Sequence, residues 1–183
     1  MSAVIAVVRT EGIVPQEHLR LMSDHRSKRI ENTRTQSIAQ QLTGAELAFR
    51  FAAEYMGISA EYSYLPDGRP QPAEEGYYMS LTHTDGLAAC VIARVPVGID
   101  AEGERKILPS LSKKILAPGE QGDLREIWVK KESYLKRTGE GIRRPMTDFS
   151  AEEIDGYLHA FCVDKYYISV CAEEKVDVKI FQL

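Results

Sequence analysis

The stretch LAACVIARVPVGIDAE, residues 87–102, decides how the chain is read. Its first nine residues are apolar but for Arg94, and a short apolar run of this kind reads as a buried strand. Pro96 interrupts it, because proline cannot donate to a sheet ladder, and VGIDAE resumes as a second short strand. Just upstream, YYMSLTH (77–83) is a strand joined to the first by a tight turn at Thr84, Asp85 and Gly86. Farther toward the N-terminus, AVIAVVR (3–9) is another buried strand. A polar helix is predicted from about Pro15, with Leu19, Met22, Arg26 and Ile30 at helical spacing. The clearest helix carries Ile38, Leu42, Ala45, Phe49, Ala52 and Met56, and Gly57 stops it. YSYLPDGRP (62–70) is a strand entering a turn.

On the far side of Pro96 the order repeats. Residues 109–138 are mostly helical, broken by APGEQGD (117–123), and the tail alternates in the strand manner through YLHAFCVDK, YYISVCA and VDVKIF. Strand, helices, strands, then strand, helices, strands again, predict an α+β fold of two similar halves, 1–96 and 97–183. No internal sequence repeat supports the division.

With 183 residues, 44% of them hydrophobic and 27% charged, the chain can bury a core as one domain or two small halves. A formal net charge of −4 argues against a general nucleic-acid binder. No apolar run approaches the roughly 20 residues of a membrane span. MSAVIAVVRTEG lacks the charged leader and cleavage site of a signal peptide. Cys90, Cys162 and Cys171 lie in apolar contexts without metal or redox spacing, so reduced thiols and a cytoplasmic protein are expected.

Two segments carry carboxylates that need explaining. Strand side chains alternate, so Asp100 and Glu102 of VGIDAE share a face and repel each other. A hard cation such as Mg2+ suits them, although Asp-x-Glu is more often a solvated strand end. In IWVKKESYLKRTG (127–139), Trp128, Glu132 and Leu135 fall on one narrow helix face with Lys136 beside them. A buried, unpaired carboxylate costs several kcal/mol or becomes protonated. The same cation would compensate Glu132; the plainer alternative is an ion pair with Lys136 or Lys131. His83, at a strand end before a turn, can face a cleft and donate to a phosphate, or merely cap the turn. Arg69, in DGRP, can contact an anion. HRSKRIENTR (25–34) concentrates His25, Arg26, Lys28, Arg29 and Arg34, a solvated face or a phosphate-neutralising one.

In this order the segments resemble the Sfp-type 4'-phosphopantetheinyl transferases. GRP at 68–70, LTHT at 81–84, GIDAE at 98–102 and WVKKESYLK at 128–136 stand where that family has four motifs. LTGAEL (42–47) and GEGIRRPMTDFS (139–150) resemble its second helix and its continuation. The resemblance implies two pseudo-twofold α+β halves with the active site between them. It implies an enzyme that moves the phosphopantetheine arm of coenzyme A onto a serine of an apo carrier protein, releasing 3',5'-ADP. By position, Asp100, Glu102 and Glu132 would hold Mg2+, and Glu132 or a metal-bound water would be the base. Lys136 would assist departure of 3',5'-ADP. His83 would bind the 3'-phosphate, with Lys28 and His25 or Arg26 nearby. Arg69, Gly68 and Pro70 would border the adenine. Thr82 stands where a serine is usual, and Gln40 and Gln41 where a basic residue is expected. Arg143, Arg144, Lys113 and Lys114 are candidates for docking an acidic carrier, and a monomer is expected. The competing readings are a Mg2+-dependent phosphohydrolase on the same carboxylates, and a non-catalytic relative that binds coenzyme A or a carrier.

Overall fold

The computed structural model describes residues 1–22, 24–104 and 109–183. Its first sheet is built around β1 (Ser2–Arg9), which pairs antiparallel with β5 (Leu87–Ala93) and parallel with β9 (Asp177–Gln182). β4 (Tyr78–Thr84) completes it, in the order β4-β5-β1-β9. The second sheet has the order β6-β8-β7, from β6 (Val97–Glu102), β8 (Tyr166–Ala172) and β7 (Tyr157–Val163). A small ribbon pairs β2 (Tyr62–Tyr64) with β3 (Pro70–Pro72) across the Pro66-Asp67-Gly68 turn.

Every residue of β5 is buried because both of its faces are covered. Cys90 and Ile92 face α3 (Gln36–Met56), packing with Ala48, Phe49 and Ala52. Leu87, Ala89 and Val91 face the other way, into a core shared with Ile99, Ile168 and Val170 of the second sheet. The second sheet is covered in turn by α5 (Leu124–Thr138), which packs on β6 and β8. The architecture is α+β, with one long helix against each main sheet and a common core between the sheets.

The ends of the long helices follow local chemistry. Thr35 caps α3, its side chain accepting from the Ile38 amide, and Gly57 closes it with φ +69°. Asp123 caps α5 by accepting from the Arg125 and Glu126 amides. Near the N-terminus the structure departs from the predicted continuous helix. α1 spans only Pro15–His18, a 3-10 turn follows over Leu19–Leu21, and Met22 is extended before α2 (Asp24–Glu31) begins. Leu19 and Met22 therefore belong to the connection, while Arg26 and Ile30 anchor α2 as its buried residues. A short helix, α4 (Pro109–Ile115), precedes α5. Among the described residues no helix is long and apolar enough to cross a membrane.

Candidate active site

The motif segments meet where β4, β6 and α5 come together. Val97, Ile99 and Ala101 point into the shared core, so Gly98, Asp100 and Glu102 face α5. Gly98 is what lets the helix sit so close. A Cβ there would lie 2.1 Å from the Ser133 carbonyl oxygen and 2.6 Å from the Arg137 nitrogen. Small residues continue the contact, with Ser133 Oγ 3.2 Å from Ser169 Oγ of β8. This fit brings Glu132 and Lys136 over the strand.

Lys136 Nζ donates to Asp100 Oδ1 at 2.7 Å, to the Ile99 carbonyl at 3.0 Å and to the Leu81 carbonyl at 3.4 Å. One ammonium thus bridges β4 and β6. Thr82 Oγ1 donates to the same Asp100 oxygen at 3.0 Å, and the Ile99 amide donates to Ser80 Oγ at 3.2 Å. Asp100 is buried, and Glu102 lies half-buried at the end of β6. The Glu132 carboxyl is pushed above its ordinary range, first by burial and then by the Asp100 charge, with Lys136 acting against both. Among the described residues, no group of three His, Cys, Asp or Glu side chains stands arranged to hold a metal ion. The donor chemistry nonetheless fits a hard divalent cation. Asp100, Glu102 and Glu132 offer oxygen ligands, and Glu132 stands where added positive charge is favoured.

On the other face of β4, His83 Nδ1 lies 3.0 Å from Gln41 Oε1 of α3. His83 is exposed at the end of β4, yet its ring is held toward its neutral form first by desolvation against the surrounding chain and then by Lys136, Arg29 and Arg26; Asp100 opposes. A cationic surround of this kind suits an anion. Lys28 and Arg29 are both exposed on α2. Arg26 is different: it is 3% exposed and donates to the Tyr62 hydroxyl at 2.7 Å and the Tyr64 hydroxyl at 3.0 Å, with Glu46 beside it. It secures α2 to α3 and β2 rather than facing a cleft. The side chain of His25 lies outside the described residues.

Arg69 holds Asp67 in an ion pair at 2.8 Å and donates to the Arg137 carbonyl at 2.9 Å, closing the end of α5. With Pro70, Leu81, Lys136 and Gly139 it lines a cleft of about 250 Å3. Larger clefts of about 530, 500 and 320 Å3 lie beside Pro15 and Thr35, along the 118–123 loop and beside Glu46 and Tyr62, and none of them is lined by Asp100, Glu102, Glu132, Lys136 or His83. Of the docking candidates, Arg143 donates to the Gly139 carbonyl and Arg144 pairs with Glu140 and lies over the Phe149 ring. Lys113 and Lys114 are exposed on α4.

Two residues take roles that no pattern in the sequence signals. Lys131, expected as an alternative partner for Glu132, is fully buried on another side of α5, bonded to Glu120 and to the Ile115 and Met146 carbonyls. Gln41 turned out to be the residue that grips His83.

No protein-family model matches the chain. It is similar to a 4'-phosphopantetheinyl transferase of Bacillus subtilis, 24% identical over 163 residues, covering 74% of this chain and 72% of the relative. HetI, a 4'-phosphopantetheinyl transferase of Nostoc sp., is 32% identical over 112 residues, 49% of this chain and 47% of the relative. Sfp, the 4'-phosphopantetheinyl transferase of Bacillus subtilis strain 168, is 25% identical over 122 residues, 52% of this chain and 54% of the relative. The matched segments thus span about half the length of HetI and of Sfp. An α+β protein with a carboxylate–lysine seam between its sheets is accordingly a relative of a known class of transferring enzymes. Those relatives are 4'-phosphopantetheinyl transferases, Sfp among them, as the motifs imply.

Proposed function

We propose that the protein transfers the 4'-phosphopantetheine arm of coenzyme A to a serine hydroxyl of an apo carrier protein, in a Mg2+-dependent reaction that releases 3',5'-ADP. The observation that carries this reading is the convergence on Asp100. Thr82 of β4 and Lys136 of α5 donate to its Oδ1, and Glu132 feels its charge. Residues from three sequence segments serve one point.

In the proposed reaction the serine oxygen attacks the phosphorus that carries the pantetheine arm. The P–O bond to 3',5'-ADP breaks, and the serine proton passes to the Glu132 carboxylate. Burial and the neighbouring Asp100 raise the Glu132 carboxyl in the absence of a cation; beside a bound Mg2+, which would act against both, it stays ionised and able to accept the proton. Lys136 stabilises charge on the departing 3',5'-ADP. Asp100, Glu102 and Glu132 would hold Mg2+, which when bound supplies neutralising charge for the pyrophosphate. Thr82 steadies Asp100 from the side. The half 1–96 would carry the coenzyme A contacts: His83 and Lys28 on the 3'-phosphate, with Arg29 adding charge, and Arg69, Gly68 and Pro70 beside the adenine. The half 97–183 would carry the carboxylates and the helix of Glu132 and Lys136. Because Arg143 and Arg144 are engaged within the chain, Lys113 and Lys114 are the better candidates for meeting an acidic carrier.

Nucleotide analysis tests the reading. The chain is incubated with coenzyme A and Mg2+, with or without an apo acyl carrier protein. The expected result is 3',5'-ADP only when the carrier is present. Consumption of coenzyme A without a carrier would make the protein a phosphohydrolase instead.

A further inference from the structure

His83 is held by a chain of hydrogen bonds whose direction can be worked out from its far end. Ser37 Oγ donates to Asp85 Oδ1 at 2.9 Å, Gln41 Nε2 donates to Ser37 Oγ at 3.1 Å, and Gln41 Oε1 lies 3.0 Å from His83 Nδ1. An ionised carboxylate only accepts, so the single Ser37 hydroxyl proton goes to Asp85. The Ser37 oxygen is then the acceptor for Gln41, and the side of the amide that can supply a proton is its nitrogen. That leaves the amide oxygen facing His83. The ring nitrogen opposite it must carry hydrogen. A neutral imidazole has one N–H, so Nε2 of the neutral ring is a lone pair with nothing to donate.

We propose that Gln41, backed by Ser37 and Asp85, is a positioning residue that holds His83 as the Nδ1–H tautomer, so that Nε2 can bind a phosphate monoester only when the ring takes up a proton. The choice of ligand rests on the reading above, in which His83 meets the 3'-phosphate of coenzyme A. The surroundings set the starting state. Desolvation first, then Lys136 of α5 and Arg29 and Arg26 of α2, disfavour the imidazolium, and Asp100 of β6 favours it. The free protein therefore starts with a neutral ring at and above neutral pH. An arriving dianion reverses the balance, and binding draws a proton from solvent. The imidazolium form is the one that binds, so affinity is full below the free ring's pKa and weakens as pH rises above it.

The tautomer can be read without any ligand. Long-range 1H–15N correlation spectra of the full chain at pH 8 should show His83 protonated at Nδ1. Ser37→Ala removes the group that fixes the amide, and Gln41→Leu removes the acceptor; both should move His83 toward Nε2–H. Ser37 is exposed, so its variant keeps the fold. A wild-type ring protonated at Nε2 overturns the proposal. Calorimetric titration at pH 8, in two buffers of different ionisation enthalpy, then counts protons. Coenzyme A should bind with uptake of about one proton and 3'-dephospho-coenzyme A with essentially none. The dissociation constant for coenzyme A should rise about tenfold per pH unit above the free ring's pKa. In Ser37→Ala the uptake should fall below half and the pH dependence should flatten. Equal uptake for the two ligands, or uptake unchanged in Ser37→Ala, also overturns it. If the Nδ1–H tautomer is found and coenzyme A does not bind, the relay stands and the functional reading falls.

Discussion

Lys131 and Glu132 are adjacent on α5 and have opposite electrostatic fates. Lys131 is fully buried, and its ammonium meets Glu120 and the Ile115 and Met146 carbonyls. Burial alone would raise the Glu120 carboxyl, but the Lys131 hydrogen bond and the Ala151 and Ala117 amides outweigh it and hold it below its ordinary value. The pair therefore contributes its full stability above about pH 4.5, the unfolded value, and loses it as pH falls through the depressed folded value. Lys131→Ala leaves Glu120 buried without its counter-charge and should cost about 3–5 kcal/mol in urea unfolding at pH 7. Glu132 behaves the other way. Its folded pKa is raised, so the folded state loses stability as pH rises through that value. In the metal-free protein, Glu132→Gln should raise the urea midpoint at pH 7, and in the presence of Mg2+ the same variant should abolish transfer. A lowered midpoint would mean that Glu132 is a structural partner rather than a strained functional group.

At the scale of elements, the contact of α5 with β6 governs the site. Gly98→Ala would place a methyl 2.1 Å from the Ser133 carbonyl oxygen, a backbone atom that cannot swing aside. The helix must move, and overpacking of this kind costs about 1–3 kcal/mol. Thermal unfolding should show that loss, and transfer should fall further than stability explains because Glu132 and Lys136 move with the helix. Gly98 was legible only as part of a motif; its role emerges from the backbone pressed against it. The strands and α3 were legible because their apolar residues repeat at the periods of their elements. α5 was harder. Its buried positions include Lys131, Ser133 and Arg137, since the helix is enclosed between the second sheet and the chain around Met146. Trp128, expected on the buried face, is only half-covered. The helix expected from Pro15 failed for a related reason: the spacing of Leu19, Met22, Arg26 and Ile30 continues through a backbone that turns extended at Met22.

Across the whole molecule, chain order and spatial order diverge. β9, from the C-terminal end, completes the sheet built on β1, while β4 and β6 bring residues 80–83 and 98–102 together where the sheets meet. The carboxylates were visible in the sequence as residue types in need of a partner. The bridge from Lys136 to Asp100, Ile99 and Leu81, and the chain from Asp85 to His83, join residues far apart in sequence and have no signature in any single segment. The central claim is that this junction transfers phosphopantetheine. Intact-mass spectrometry of apo carrier proteins, incubated with the chain, coenzyme A and Mg2+, tests it most directly. A carrier should gain the mass of one phosphopantetheine arm. The gain should vanish without metal and fall at least about 100-fold in rate with Asp100→Ala, whose circular dichroism should match that of the parent. Undiminished transfer by Asp100→Ala, or no gain on acyl, polyketide or peptidyl carriers alike, would contradict the account.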